Sequence, residues 1–162
     1  LPALYREKKV PFIFDPGQQI AALTADDLRN GITGAKIFIS NDYELALVLE
    51  KTGWSEKDIL SRTEMIVTTL GEKGSRIQTR EKIFDVPIVK IKEVVDPTGA
   101  GDAYRAGLIK GMVENWAIEA SGRFGAVMAA YAIEAHGPQE YRTTFSEALA
   151  RYKENFGTEP NS

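Results

Sequence analysis

Residues 94–102, VVDPTGAGD, join a β-branched strand end to an amphipathic helical pattern and carry the residue types that handle phosphate. The first amides of a helix lack intrahelical acceptors and carry a partial positive charge, so Gly99, Ala100 and Gly101 could point N–H groups at an anion. The two glycines would let the anion approach closely, because they have no Cβ atom. Asp102 would repel a phosphate unless it takes a proton from a hydroxyl group that attacks that phosphate. The segment therefore indicates phosphoryl transfer, with Asp102 as general base.

The same residues also have a simpler explanation. Aspartate is a common N-cap that stabilises a helix by about 1 kcal/mol, and a Thr-Gly pair often only forms a turn. Two other glycine-rich phosphate motifs fail on spacing. A dinucleotide fingerprint needs a glycine where Tyr104 stands, and residues 71–75 (GEKGS) lack the Gly-Lys-Ser/Thr of the NTPase phosphate loop. We favour the phosphate interpretation because Asp102 follows Thr98, two glycines and a strand end.

The composition excludes several classes of function. The 162 residues include no cysteine, which excludes disulfides, thiolate metal sites and cysteine nucleophiles. The single histidine, His136, excludes His-rich zinc sites and argues against a Ser-His-Asp triad. The net charge of -3 and the short, mixed charge runs give no basic stripe for nucleic acid or a membrane surface. Since the sequence has no apolar run of about 18 residues and no signal-peptide pattern, we expect a cytoplasmic protein.

The elements that must position these residues are short strands alternating with helices. Strands are predicted at 10–14, 36–40, 65–69, 77–78 and 82–86. Helices are predicted at 23–30, 41–51, from 55 onward, within 100–135 and at 144–155. Thr24 and Asp27 predict a capping box at the first of these helices, and Gly31 predicts its end.

Alternation of this kind implies right-handed crossovers and a parallel sheet covered on both faces. Ligands of such sheets bind beyond the carboxyl ends of the strands. Four loops are therefore candidates for the functional site: 15–18, 41–44, 69–74 and 96–102.

Three of these loops carry a family resemblance. Residues 96–107 (DPTGAGDAYRAG) resemble the carboxyl-terminal signature of the PfkB, or ribokinase-like, carbohydrate kinases. Residues 41–44 (NDYE) are similar to that family's Asn-x-x-Glu motif, and residues 69–74 (TLGEKG) to its Thr-x-Gly-x-x-Gly nucleotide loop. Residues 14–18 (FDPGQ) and 129–139 (AAYAIEAHGPQ) look most like the bacterial adenosine-kinase-like branch. The resemblance covers nearly the whole chain and implies the carboxyl-terminal part of a three-layer α/β sandwich with a mainly parallel sheet.

The resemblance also implies a role for each motif. Asp102 matches the general base that deprotonates the sugar hydroxyl, and residues 99–101 match the anion hole for the transferring phosphoryl group. Asn41 and Glu44 match the motif that organises Mg²⁺, its waters and the nucleotide phosphates, although alone they would more simply form a helix capping box. The remaining ATP-binding residues implied by the resemblance are Thr69, Gly71, Gly74, Thr98 and Gly101.

A monovalent cation such as K⁺ is a further candidate cofactor, because members of the family often bind one beside the anion hole. Asp96 and Thr98 occupy the matching positions. Main-chain carbonyls near Ala132, Ala135 and Gly137 would complete the set. Tyr141 stands where many ribokinases have a serine near the end of this cation loop, a departure that argues against cation activation.

We therefore expect an ATP-dependent kinase that transfers the γ-phosphate to a hydroxymethyl group of a sugar or nucleoside, with adenosine favoured. Residues 1–156 would form its nucleotide-binding and catalytic part, and residues 157–162 a flexible tail. The amino-terminal region and lid of such kinases are not recognisable here, so the expected partners are an amino-terminal half of the same protein and a second copy in a homodimer. Without that half, we expect ATP hydrolysis or no activity.

Two other functions fit parts of the pattern. The chain could be a non-catalytic ATP-binding or assembly module derived from such a kinase. It could also be a plain α/β interaction domain whose glycines only shape turns.

Overall fold

The computed structural model describes residues 1–161, which form two compact units. The first unit comprises Leu1–Gly71 with Arg76–Asp85, and the second comprises Glu72–Ser75 with the chain from Val86 onward. The helices are α1 Pro2–Glu7, α2 Ala25–Ile32, α3 Asp42–Thr52, α4 Glu56–Leu60, α5 Ala100–Val113, α6 Ile118–Ile133 and α7 Phe145–Phe156. The strands are β1 Ile13–Phe14, β2 Ile37–Asn41, β3 Met65–Thr69, β4 Ser75–Thr79 and β5 Ile83–Val86. Two short 3₁₀ helices cover Gly17–Ala21 and Gly71–Lys73.

The five strands form one sheet in the order β1-β2-β3-β4-β5. β1, β2 and β3 pair in parallel. β4 and β5 are joined by only three residues, which is too short for a parallel crossover, so they form an antiparallel hairpin. Four consecutive residues of β2 and three of β3 are buried, which shows that both faces of the parallel part are covered. The sheet is thus mostly parallel, as the alternation of strands and helices predicts.

One face of the sheet packs against α2, α3 and α4. Phe38 of β2 and Ile66 of β3 lie in this core with Leu28, Val48 and Ile59, and all five side chains are fully buried. At the usual gain of about 25 cal/mol per Å² of apolar surface, such burial stabilises the strands from which the loops of the site extend.

The end of α2 differs from the prediction. The predicted capping box is present, with Thr24 accepting from the amide of Asp27. Gly31, however, lies inside the helix, which continues to Ile32. A Cβ atom at Gly31 would lie 2.2 Å from the ring of Phe14, so this glycine makes room for an aromatic side chain of β1 and does not end the helix.

In the second unit, α5 and α6 approach each other through glycines. A Cβ atom on Gly107 would lie 2.8 Å from the Cα atom of Gly125, and one on Gly125 would lie 2.8 Å from the carbonyl oxygen of Tyr104. The absence of side chains at these positions lets the two helix backbones touch. This contact fixes the direction of α5, whose first turn carries the predicted phosphate-binding residues.

An ion pair joins α6 to α7. Arg151 donates to both carboxylate oxygens of Glu134, at 2.8 and 2.6 Å, and the two side chains are 10% and 16% exposed. Burial alone would raise the pKa of Glu134, but the hydrogen bonds from Arg151 and from the amide of Lys92 outweigh it and lower that pKa. Among the helices of residues 1–161, none is long and apolar enough to cross a membrane.

Candidate functional site

The first turn of α5 begins immediately after a left-handed glycine. Gly99 is the N-cap residue, with φ 83° and ψ −3°, and Ala100 is the first helical residue. Asp102 is therefore the third residue of the helix and does not cap it. Within the described residues no side chain caps α5, so the capping explanation of Asp102 does not hold.

Three main-chain amides at this helix start are available to a ligand. The amide of Ala100 donates to the carbonyl oxygen of Pro97 at 3.2 Å. The amides of Gly99, Gly101 and Asp102 make no hydrogen bond to any group of residues 1–161. The sequence predicted the amides of Gly99, Ala100 and Gly101 as the donors to an anion. The structure differs at Ala100, because the amide of Ala100 is already bonded within the turn that positions the other amides. Unpaired amides at a helix start attract anions.

The two glycines of the turn serve different purposes. A Cβ atom at Gly99 would lie 2.6 Å from the Cβ atom of Pro138, and its positive φ also favours glycine, so packing and conformation both require it. A Cβ atom at Gly101 would meet nothing within 4 Å, and its φ is not in the left-handed region. Neither packing nor backbone conformation therefore explains a glycine at position 101.

The carboxylate of Asp102 faces solvent beside a cation. Its side chain is 74% exposed, and Nη2 of Arg105 donates to its Oδ1 atom. Exposed ion pairs contribute about 0–1 kcal/mol to stability, so this one contributes little to the fold. The carboxylate is thus accessible to a hydroxyl group that approaches from solvent, and it lies on the same helical turn as the unpaired amides.

Asp96 anchors the loop that leads into α5. Its two carboxylate oxygens accept from the amides of Thr98 and Gly137, at 2.9 and 3.0 Å. Hydrogen bonding from the Thr98 side chain, followed by that from the two amides, holds the pKa of the Asp96 carboxyl below its usual range. The amides of Val95 and Asp96 both donate to the carbonyl oxygen of Ile133 at the end of α6, at 2.9 and 3.1 Å. The loop is thereby tied to the end of α6 and to Gly137, which follows that helix.

The predicted cation site at Asp96 and Thr98 stays a prediction. Each carboxylate oxygen of Asp96 already accepts one amide, although each retains a second lone pair. No group of three or more His, Cys, Asp or Glu side chains arranged to hold a metal ion occurs in the described part of the chain.

Tyr104 and Ser75 form a buried hydrogen bond next to this turn. Their hydroxyl oxygens are 2.7 Å apart, and the residues are 4% and 2% exposed. Sequence reasoning considered Tyr104 only as an obstacle to a dinucleotide motif and missed Ser75. The sequence offers one signal for this bond. Tyr104 carries a hydroxyl group, although it shares the buried face of α5 with Ala103, Gly107 and Leu108.

In the first unit, Asn41 and Glu44 form a capping box at the start of α3. The amide of Asn41 donates to Glu44 Oε2 at 2.9 Å, and the amide of Glu44 donates to Asn41 Oδ1 at 2.7 Å. The simpler explanation of this motif is therefore present in the structure. Asn41 is also in register with Thr69 at the carboxyl ends of β2 and β3, which brings two of the predicted loops together.

The glycines of the predicted nucleotide loop both have positive φ. Gly71, at φ 58°, is exposed at the start of a 3₁₀ turn, where a Cβ atom would meet nothing within 4 Å. Gly74, at φ 88°, approaches other backbone so closely that a Cβ atom would lie 2.1 Å from the carbonyl oxygen of Val86. Gly74 is therefore required by packing and conformation, as Gly99 is.

Comparison with known proteins gives consistent similarities. The sequence profile of the pfkB family carbohydrate kinases matches residues 3–144. A nucleoside kinase from Methanocaldococcus jannaschii is 32% identical over 142 residues, which are 88% of this chain and 47% of that protein. A ribokinase from Lactococcus lactis is 33% identical over 99 residues, covering 60% of this chain and 33% of that one.

The fold is likewise similar to solved kinases. The nucleoside kinase of Burkholderia thailandensis in complex with inosine has a TM-score of 0.96 and 40% identity, covering 99% of this chain and 53% of that chain. Thermotoga maritima ribokinase, at 23% identity and a TM-score of 0.74, has the same fold. The chain spans about half the length of the nucleoside kinases it matches. These similarities confirm the predicted resemblance and the predicted fold class.

Proposed function

We propose that this chain, which belongs to the pfkB family of carbohydrate kinases, carries the ATP-binding and phosphoryl-transfer part of a sugar or nucleoside kinase. The observation that carries the proposal is the exposed Asp102 carboxylate on the same helical turn as three unpaired amides. An anion site and an adjacent proton acceptor are the two components that phosphoryl transfer to an alcohol needs. The fold requires neither a glycine at position 101 nor an aspartate at position 102.

The amides of Gly99, Gly101 and Asp102 bind the γ-phosphate in this mechanism. Negative charge on the equatorial oxygens of the transferring phosphoryl group is stabilised by fixed N–H groups and by the positive end of the α5 dipole. Asp102 accepts the proton of the acceptor hydroxyl as the new oxygen–phosphorus bond forms, while the bond between the γ-phosphorus and its bridging oxygen breaks and ADP leaves. Arg105 holds the Asp102 carboxylate at the helix start and keeps a positive charge beside the phosphate.

Magnesium is part of the proposal, and the residues of the Asn-x-x-Glu motif fit it. Glu44 uses Oε2 in the capping box, and for its Oε1 atom no partner occurs within the described residues. Mg²⁺ is usually held by one or two carboxylates together with waters and phosphate oxygens, so Glu44 and Asn41 would hold it indirectly. When bound, Mg²⁺ neutralises charge on the β- and γ-phosphates. K⁺ at Asp96 and Thr98 is a further candidate.

A nucleoside is the proposed acceptor, with adenosine the first choice. Support comes from the similarity to the Burkholderia enzyme that was solved with inosine and with ADP-inosine. The resemblance of residues 14–18 and 129–139 to adenosine-kinase-like proteins favours adenosine among nucleosides.

An amino-terminal half of the same protein is the proposed partner. β1 is one edge of the sheet and, among the described strands, pairs only with β2. An open edge of this kind presents unpaired backbone groups that a further strand can use. The proposal also includes that the complete protein acts in the cytoplasm and forms a homodimer.

The test uses the full-length gene product with ATP, Mg²⁺ and a panel of nucleosides and sugars, and measures phosphorylated product. Asp102→Asn is expected to lower kcat by about 10²- to 10⁴-fold with little change in ATP affinity, because it removes only the proton acceptor. Asp26→Asn is the matched control, since Asp26 also lies in the first turn of a helix, is 83% exposed and pairs with Arg29 at 3.0 Å. Unchanged kcat in Asp102→Asn would reject the assignment. ATP binding without transfer to any acceptor would favour the non-catalytic module instead.

A further inference from the structure

The hydrogen bond between Tyr104 and Ser75 connects two parts of the proposed site that are far apart in sequence. Tyr104 lies two residues after Asp102 in α5. Ser75 directly follows Gly74, the last glycine of the predicted nucleotide loop. The hydroxyl oxygens are 2.7 Å apart and both residues are almost fully buried.

Both ends of this bond lie beside closely packed backbone. The Tyr104 ring lies against Gly125 of α6, where an added Cβ atom would be 3.1 Å from two ring carbons. On the other side, the backbone of Gly74 packs against Val86 and leaves no room for a side chain. The segment Glu72–Ser75 also groups with the second unit, although the residues on either side of it belong to the first.

Hydrophobic packing alone does not explain the pair. A phenylalanine at position 104 would fill the same volume, and an alanine at position 75 would leave no polar group to satisfy. Burying two hydroxyls is tolerated only because each satisfies the other, and such a bond fixes direction and distance where apolar contact would not. Burial raises the pKa of Tyr104 to about 12, so its hydroxyl remains protonated at neutral pH.

We propose that the Tyr104–Ser75 hydrogen bond is a positioning device that holds the nucleotide loop in a fixed place relative to the catalytic turn of α5. This inference rests on the proposed function, because it assigns the loop at 71–75 to ATP. Neither residue touches the reacting atoms. The bond acts by keeping the loop in the conformation that accepts the nucleotide before ATP arrives, which lowers the ordering cost of binding.

The test compares Tyr104→Phe, Ser75→Ala and the double variant in the full-length gene product. Each single change leaves the other hydroxyl buried without a partner, whereas the double change removes both and is expected to restore the melting temperature. We expect the KM for ATP to rise by about tenfold in the single variants and to stay raised in the double variant. The KM for the acceptor is expected to remain within about twofold of the parent, because the device acts on the nucleotide loop.

Amide hydrogen exchange gives a readout that does not depend on activity. Residues 71–75 of the ATP-free protein should exchange faster in all three variants, by about tenfold. Tyr152→Phe is the matched control, because Tyr152 is 1% exposed and lies in the same unit on α7. It is expected to lower the melting temperature while leaving both the loop exchange and the KM for ATP unchanged.

Two results would overturn the inference. Parental exchange at 71–75 in Tyr104→Phe would show that the bond does not hold the loop. Return of both the exchange rate and the KM for ATP to parental values in the double variant would show that the hydroxyls merely satisfy each other. If the parent phosphorylates no acceptor, the proposed function fails, and the exchange rates of the variants still decide whether the bond positions the loop.

Discussion

Gly101→Ala is expected to separate phosphate binding from folding. The added Cβ atom meets nothing within 4 Å, and the backbone at this position is open to any residue. Replacing a helical glycine by alanine usually stabilises by about 0.5–1 kcal/mol, so the free energy of unfolding should not fall. The new methyl group would stand on the same turn as the unpaired amides of Gly99, Gly101 and Asp102, and would hold a phosphate away from them.

The expected loss follows from the bonds that the methyl group prevents. A hydrogen bond to a charged group contributes about 1.5–3 kcal/mol, so losing one weakens ATP binding by about 10- to 150-fold. The stability that bound ATP adds to the folded protein gives a second measure of the lost ATP affinity. At an ATP concentration of 100 Kd, the parent gains about 2.7 kcal/mol of stability, whereas a variant with 100-fold weaker binding gains only about 0.4 kcal/mol.

Two assays check these values on the same samples. Calorimetric titration with ATP and Mg²⁺ gives the Kd, and urea unfolding with and without ATP gives the stability and its linkage to binding. Gly107→Ala is the control, because its Cβ atom would lie 2.8 Å from both Gly125 Cα and the carbonyl oxygen of Phe124. Overpacking of this kind costs about 1–3 kcal/mol but adds no atom beside the amides of the turn, so this variant shows how far ATP affinity falls when α5 is only displaced or destabilised. Parental ATP affinity in Gly101→Ala would refute the assignment of these amides to phosphate.

Two further predictions concern stability. Thr68→Val should raise the free energy of unfolding by about 1 kcal/mol, because the Thr68 hydroxyl is buried and has no partner among the described residues. Thr63→Val should lower the free energy of unfolding, since Thr63 donates to the carbonyl oxygen of Ala35 at 2.7 Å. Urea unfolding of both variants measures the two effects, and equal effects would contradict the reasoning. Asp96 and Glu134 have pKa values lowered by folding, so their contribution is fully present above the unfolded values of about 3.8 and 4.5 and is lost as the pH falls through the lower folded values. Unfolding measured between neutral and acidic pH should therefore show a smaller acid-dependent loss in Asp96→Asn than in the parent, and an identical pH profile would argue against the anchor.

The sequence alone predicts local structure correctly where that structure depends on residues close together in the chain. β3 covers the predicted residues 65–69, and the capping boxes at Thr24 and Asn41 lie where the spacing of polar residues places them. The capping boxes depend on hydrogen bonds between residues three apart, so their residue pattern can be recognised in a single sequence. The predicted strand over 10–14 shortened to Ile13–Phe14, because only these two residues find partners in β2. A strand exists only where another strand pairs with it.

The sequence by itself determined the chemical residue types of the proposed site: two glycines and an aspartate at the start of a helix after a strand end. Tertiary structure alone decided which groups are available there. Asp96 reaches Gly137 across 41 positions, and Tyr104 reaches Ser75 across 29. Such bonds form when the folded core brings distant segments within 3 Å of each other, and no local pattern records which polar atoms will then be paired and which will be left for a ligand.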